Sequence, residues 1–158
     1  MEVKKEDIEQ IIMQMLNERL QDYNNKSNPY AKRPFYTQAN GVLQVNVPMI
    51  KVTERDRLDT GYQKDKVYTH DLFSLEESPR LGCGVMEMEN TTFDWHLDYD
   101  EIDYVIDGTL SIIKDGKCVT AGPGEIILIP KGSRIQFSVP EKARFLYVTY
   151  PADWNGEK

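Results

Sequence analysis

Phe93-Asp94-Trp95-His96-Leu97-Asp98-Tyr99-Asp100-Glu101-Ile102-Asp103-Tyr104-Val105-Ile106-Asp107-Gly108 is the stretch whose pattern decides the fold. Alternation over Glu101–Ile106 predicts a strand with Glu101 and Asp103 on one face. Asp107-Gly108 then signals a turn between β-rich runs. Downstream, further strands are expected at Thr109–Lys114, Lys117–Thr120, Glu125–Ile129, Ile135–Ser138 and Arg144–Tyr150. Asp115-Gly116, Gly122-Pro123-Gly124 and Pro130-Lys131-Gly132 punctuate them. Upstream, Gly82–Met88 and Gly41–Val47 read the same way. Short strands at regular spacing argue for an all-β sandwich or closed barrel.

The same stretch resembles the first cupin motif, in which two His separated by one residue precede a Glu and then a Gly. Glu101 and Gly108 hold that spacing, His96 takes the second His position, and Asp94 takes the first. Gly124, Pro130 and Gly132 match the second motif, whose remaining ligand and Asn positions fall on Ile135 and Val139. The resemblance implies an all-β cupin, an RmlC-like jelly-roll barrel. The usual site of three His and one Glu is excluded, because the chain has only two histidines, His70 and His96. Asp94, His96 and Glu101 are at most a loose site for a hard cation such as Mn²⁺ or Fe²⁺. Alternatively His96 is a half-buried polar residue hydrogen-bonded to a carboxylate. No tightly bound transition metal is expected.

Crowded carboxyls raise one another's pKa, so Asp94, Glu101 and Asp103 are candidates for acid–base work near neutral pH. Pairing with Lys131, Arg134 or Arg144 is the structural alternative.

Tyr99-Asp100-Glu101-Ile102-Asp103, Gly122-Pro123-Gly124-Glu125, Ile129-Pro130-Lys131-Gly132-Ser133, Arg144-Phe145-Leu146-Tyr147-Val148 and Pro151-Ala152-Asp153-Trp154 extend the likeness beyond a generic cupin. Over residues 35–154 the chain resembles the EutQ family of ethanolamine utilisation. That resemblance implies a role in or beside a bacterial microcompartment, a homodimer, and acetate kinase activity that exchanges acetate and ATP for acetyl phosphate and ADP. MgATP is the implied cofactor, with a small-molecule ligand in the barrel. Asp94, His96, Glu101 and Asp103 are the candidate catalytic residues, and Lys131 and Arg134 the candidate phosphate partners. The chain lacks the GxxxxGK[ST] phosphate loop. Two alternatives stand beside the kinase: a non-enzymatic, metal-free cupin serving microcompartment assembly, and a degenerate metal-dependent cupin enzyme.

Ile8, Ile11, Ile12, Met15, Leu16 and Leu20 recur at helical spacing, which predicts an amphipathic helix within residues 1–22. A polar linker is expected over 23–34 and the cupin domain over 35–154. Residues 5–20 resemble microcompartment encapsulation peptides, which would dock on a shell or cargo protein. Packing on the chain's own barrel or self-pairing is the alternative. The 158 residues carry a formal charge of −7, which argues against a nucleic-acid partner. With neither a long apolar run nor a secretory h-region, an intracellular, cytoplasmic protein without membrane contact is expected. Cys83 and Cys118 read as small buried hydrophobes, and His70 as a surface or loop residue.

Overall fold

The computed structural model describes residues 12–16 and 33–154, which divide into two compact units, Met1–Ile50 and Lys51–Lys158. In the first unit, residues 12–16 are helical; the remainder of the expected helix and the linker up to residue 32 lie outside the described residues. The unit also holds an antiparallel hairpin of β1 (Tyr36–Ala39) and β2 (Val42–Val45). Asn40 and Gly41 turn it, both at positive φ (50° and 80°), as a tight hairpin turn requires.

The second unit contains β3 (Lys66–Asp71), β4 (Gly82–His96), β5 (Asp100–Gly108), β6 (Leu110–Lys114), β7 (Lys117–Ala121), β8 (Ile126–Ile129) and β9 (Arg134–Tyr150). All pairings are antiparallel, in the order β3-β4-β9-β5-β8, with β6 joining β9 and β7 joining β6. The long strands β4 and β9 pair along nearly their whole length and share a register shift between Glu89 and Thr91. The end of β9 nearer Tyr150 pairs with β5, and the end nearer Arg134 with β6.

The expected strands Ile135–Ser138 and Arg144–Tyr150 are thus one strand, and it is sharply bent. Phe137 and Phe145 lie eight residues apart on one face, so a straight strand would hold them about 26 Å apart. Their rings instead stack with centroids 6.3 Å apart. The sheet rolls over a core that includes Val67, Met88, Phe93, Leu110, Phe137 and Phe145. Most of the strands foreseen in the sequence are present, and the fold is all-β.

Several local expectations are corrected. Asp107-Gly108 does not close a hairpin between β5 and β6, which do not pair with each other. It forms a corner where the chain leaves one end of β9 for the other. Gly108 has φ 78°, and a Cβ there would lie 1.9 Å from the Lys142 carbonyl oxygen, so only glycine fits. Asp115-Gly116 does turn the β6–β7 hairpin, with φ of 51° and 74°. His70 is on β3 rather than in a loop, with Nδ1 2.7 Å from Asp56 Oδ1. Cys118 is exposed on β7 rather than buried, and Cys83 is half-buried. No helix among the described residues is long and apolar enough to cross a membrane.

Candidate functional site

β5 is inverted in polarity. Glu101 (3% exposed) and Asp103 (fully buried) point into the barrel, while Ile102, Tyr104 and Ile106 face outward. Burying two carboxyls is costly, and among the described residues Glu101 Oε1 and both Asp103 carboxyl oxygens find no hydrogen-bond partner outside the pair itself. Thr149, which faces Glu101 across the β5–β9 ladder, also leaves its hydroxyl unpartnered. The bond open to the pair is one between the two carboxyls, which needs a proton on one of them. Burial raises Glu101 to about 7, against a smaller opposing effect of its hydrogen bond with Asp103. Burial, followed by the charge of Glu101, holds Asp103 well above the carboxylate range.

Aromatic side chains share a small cavity with Glu101. Trp154 packs against Trp95, Tyr99 and Tyr147, with ring centroids 6.3, 6.1 and 5.8 Å away. Trp95 Nε1 donates to the Tyr99 hydroxyl at 2.7 Å, and the Tyr147 hydroxyl donates to Asp71 Oδ1 at 2.5 Å. Gly84 makes room for Tyr147, because a Cβ there would lie 2.1 Å from its hydroxyl. The free volume left inside, about 10 Å³, is that of a single water.

The four expected catalytic residues therefore do not share a pocket. Asp94 and His96 are exposed on the outside of β4, and Phe93 and Trp95 take the inward positions. The reason is parity: inward positions run through Thr91, Phe93, Trp95, Leu97, Tyr99, Glu101, Asp103 and Val105 without a break. His96 lies five residues from Glu101, an odd step, and no bulge between them reverses the face. Arg144 pairs with Glu87, and Lys131 is exposed with its backbone N–H bonded to Asp100 Oδ1 at 2.9 Å. None of the expected cations reaches the buried acids.

The outward residues form a site of their own. Asp94, His96, Arg134 and Gln136 line a groove of about 500 Å³ together with Asp115 and Gly116 of the β6–β7 turn. His96 and Arg134 are cross-strand neighbours, as are Asp94 and Gln136, and Gln136 Nε2 donates to Asp94 Oδ1 at 3.0 Å. Arg134 makes no ion pair among the described residues. Asp115 also lines a neighbouring hollow of about 450 Å³ that carries Lys114, Lys117 and Ser133. Lys114 Nζ donates to the buried Ser133 hydroxyl at 3.1 Å. Two carboxylates beside Arg134 and two lysines make a set suited to a polyphosphate and its cation. A volume of this order accommodates a nucleotide-sized ligand; the barrel interior does not.

Thr149, Tyr147, Asp115, Lys114 and Lys117 were not singled out from the sequence as site residues. Counting back from Glu101 in steps of two would have drawn Tyr99 and Trp95 into the inner site and moved Asp94 and His96 out of it. Nothing comparable marks Lys114 and Lys117, which depend on how the β6–β7 hairpin approaches β8.

The family model described as "Ethanolamine utilisation protein EutQ" matches residues 3–156. The chain is 70% identical over 115 residues to "Acetate kinase EutQ" of Clostridioides difficile (strain 630), covering 73% of each protein. It is 36% identical over 122 residues to "Acetate kinase EutQ" of Salmonella typhimurium, covering 77% of this chain but 53%, about half, of that relative. The solved structure of the Clostridium difficile EutQ protein superposes with a TM-score of 0.75 at 63% identity, covering 78% of this chain and 93% of that one. The Schizosaccharomyces pombe Cnp3 cupin domain superposes at 0.52 with 14% identity, over 70% of this chain and 72% of that one, which shows the cupin fold alone.

Proposed function

The chain belongs to the EutQ family of ethanolamine utilisation proteins, and from that premise we propose that it exchanges a phosphoryl group between ATP and acetate at the outer groove of its barrel. The observation that carries the reading is the meeting of Asp94, Asp115, His96 and Arg134 in one groove of nucleotide size. In the forward direction an acetate oxygen forms a bond to the γ-phosphorus, and the bond from that phosphorus to the bridging oxygen breaks. ADP leaves with the electron pair and acetyl phosphate is the product. Such a transition state needs little covalent help from the protein; it needs alignment and neutralised charge. Arg134 offers a planar two-pronged donor to phosphate oxygens, and Lys114 and Lys117 extend the positive surface beside it. Asp94 and Asp115 would hold the Mg²⁺ that accompanies ATP, which shields charge on the β- and γ-phosphates. Gln136 fixes the Asp94 carboxylate through its amide.

Calorimetric titration with MgATP tests this. Arg134→Ala and Asp94→Asn should each weaken binding about tenfold or more while the melting temperature stays near that of wild type, because both side chains are exposed. Unchanged MgATP binding in both variants would remove the groove as the nucleotide site.

A second reading, attachment to microcompartment shell or cargo proteins, is favoured by the helical residues 12–16. Ile12, Met13, Met15 and Leu16 are each 49–60% exposed there. An apolar helical surface of this kind fits a groove on another chain. Deleting residues 1–22 should abolish co-localisation with shell proteins and leave the barrel folded. Unchanged co-localisation would remove the reading.

A further inference from the structure

The mechanism above leaves Glu101 and Asp103 without a use, although the fold carries a cost to bury them. We propose that the small cavity beneath Trp154 is a binding site for a small organic ammonium ion, with Glu101, backed by Asp103, as counter-charge and the rings of Trp95, Tyr99, Tyr147 and Trp154 as its cage.

Four observations converge on a cation of this class. Glu101 lines the cavity and its Oε1 lacks a partner among the described residues, so it is an acceptor waiting for a donor. Thr149 supplies a further unpartnered hydroxyl from the facing strand while only 1% exposed. Aromatic faces carry negative potential, and rings grouped over a carboxylate are the arrangement that recognises alkylammonium groups. Finally, no Lys or Arg appears among the groups acting on either acid. An anion is excluded by charge. A transition metal is poorly served, since among the described residues no group of three His, Cys, Asp or Glu is placed to hold one. A primary ammonium has three N–H donors to offer the Glu101 carboxyl, the one acid that lines the cavity.

The cavity has room for about one water, so an organic ammonium needs the roof to move to make space. Trp154 is the element free to do so. It follows the last strand, is half-buried, and is held by ring contacts and a long 3.4 Å indole N–H contact to Asp71. Charge balance ties binding to pH: a cation enters as the proton shared by the pair leaves. The titratable groups facing the pair are Tyr99 from the β4–β5 connection and Tyr147 from β9, with Asp71 of β3 behind the Tyr147 hydroxyl. Burial, the largest cause for each tyrosine, keeps both phenols protonated. Of the groups facing the cavity Glu101 is the one raised to about 7, and Asp103 is raised beside it.

The chain's two tryptophans, Trp95 and Trp154, both line this cavity, so intrinsic fluorescence reports on it directly. The full chain is titrated with methylammonium and, separately, ethanolamine hydrochloride at about pH 6 and about pH 8, following fluorescence and heat. Sodium chloride and sodium acetate serve as controls. A saturable response to at least one of the two ammonium salts is expected, tighter at the higher pH, and weakened about tenfold or more in Glu101→Gln. Should that variant fail to fold, Trp154→Ala, on the segment beyond β9, is expected to show the same loss of affinity. No saturable response to either salt overturns the proposal, as does wild-type affinity in the folded variant tested. Stoichiometric Mn²⁺ binding that neither ammonium displaces overturns it in favour of a metal site. The cavity is separate from the outer groove, so failure here leaves the nucleotide reading standing.

Discussion

Glu101 and Asp103 are acids on the inward, buried face of β5, and this gives the fold a pH dependence of known sign. An ordinary glutamate titrates near 4.5, whereas buried Glu101 does so at about 7. Between those values the folded chain holds a proton that the unfolded chain has released. Stability therefore falls as pH rises through that window, and Asp103, also raised, adds to the decline with the same sign. At about 1.4 kcal/mol per pH unit the Glu101 contribution is on the order of 3 kcal/mol. Glu101→Gln should flatten the decline, so denaturant melts should favour the variant by roughly that much more at pH 8 than at pH 4. A wild type equally stable at both pH values would contradict the assignment. The sequence made the pairing of Glu101 with Asp103 legible, because they sit two apart on one strand. Asp94 and His96 differ because motif spacing carries no parity, and an odd step from Glu101 reaches the opposite face.

At the scale of elements, turns and alternation were readable and long-range geometry was not. Asp115-Gly116 specifies its own hairpin locally. Asp107-Gly108 looks identical in sequence but serves a corner, because the partner of each flanking strand is the distant β9. The same distance hid the unity of β9: the two expected strands are joined because pairing with β4 runs to Val139 and resumes at Lys142. Two substitutions probe these elements. Gly108→Ala places a Cβ against the Lys142 carbonyl at a positive φ and should cost about 3 kcal/mol or more. Phe137→Ala removes the ring that stacks on both Phe93 (5.4 Å) and Phe145 (6.3 Å) and should cost about 3–5 kcal/mol. Both are checked by chemical denaturation, and a loss below about 1 kcal/mol would contradict the rolled-sheet account of the core.

For the whole molecule, the inversion of β5 has an outer consequence. Ile102 and Tyr104 lie beside Leu128 and Ile126 of β8 and Val148 and Leu146 of β9, forming apolar rows on the outside of the barrel. Ile126 and Leu128 are each 63% exposed. An exposed apolar face of this kind is suited to pairing with a second copy of the chain. Leu128→Asp should then shift the chain to a monomer in sedimentation without lowering its melting temperature, and an unchanged mass would place any dimer contact elsewhere. The central claim concerns the opposite kind of surface, the charged groove on β4, β6 and β9. Hydrogen exchange of the full chain, with and without MgATP and acetate, tests it most directly. The account predicts slowed exchange at residues 94–96, 113–117 and 134–136, with residues 99–103 and 145–154 unaffected. Protection confined to 99–103 and 145–154, or none anywhere, would contradict it.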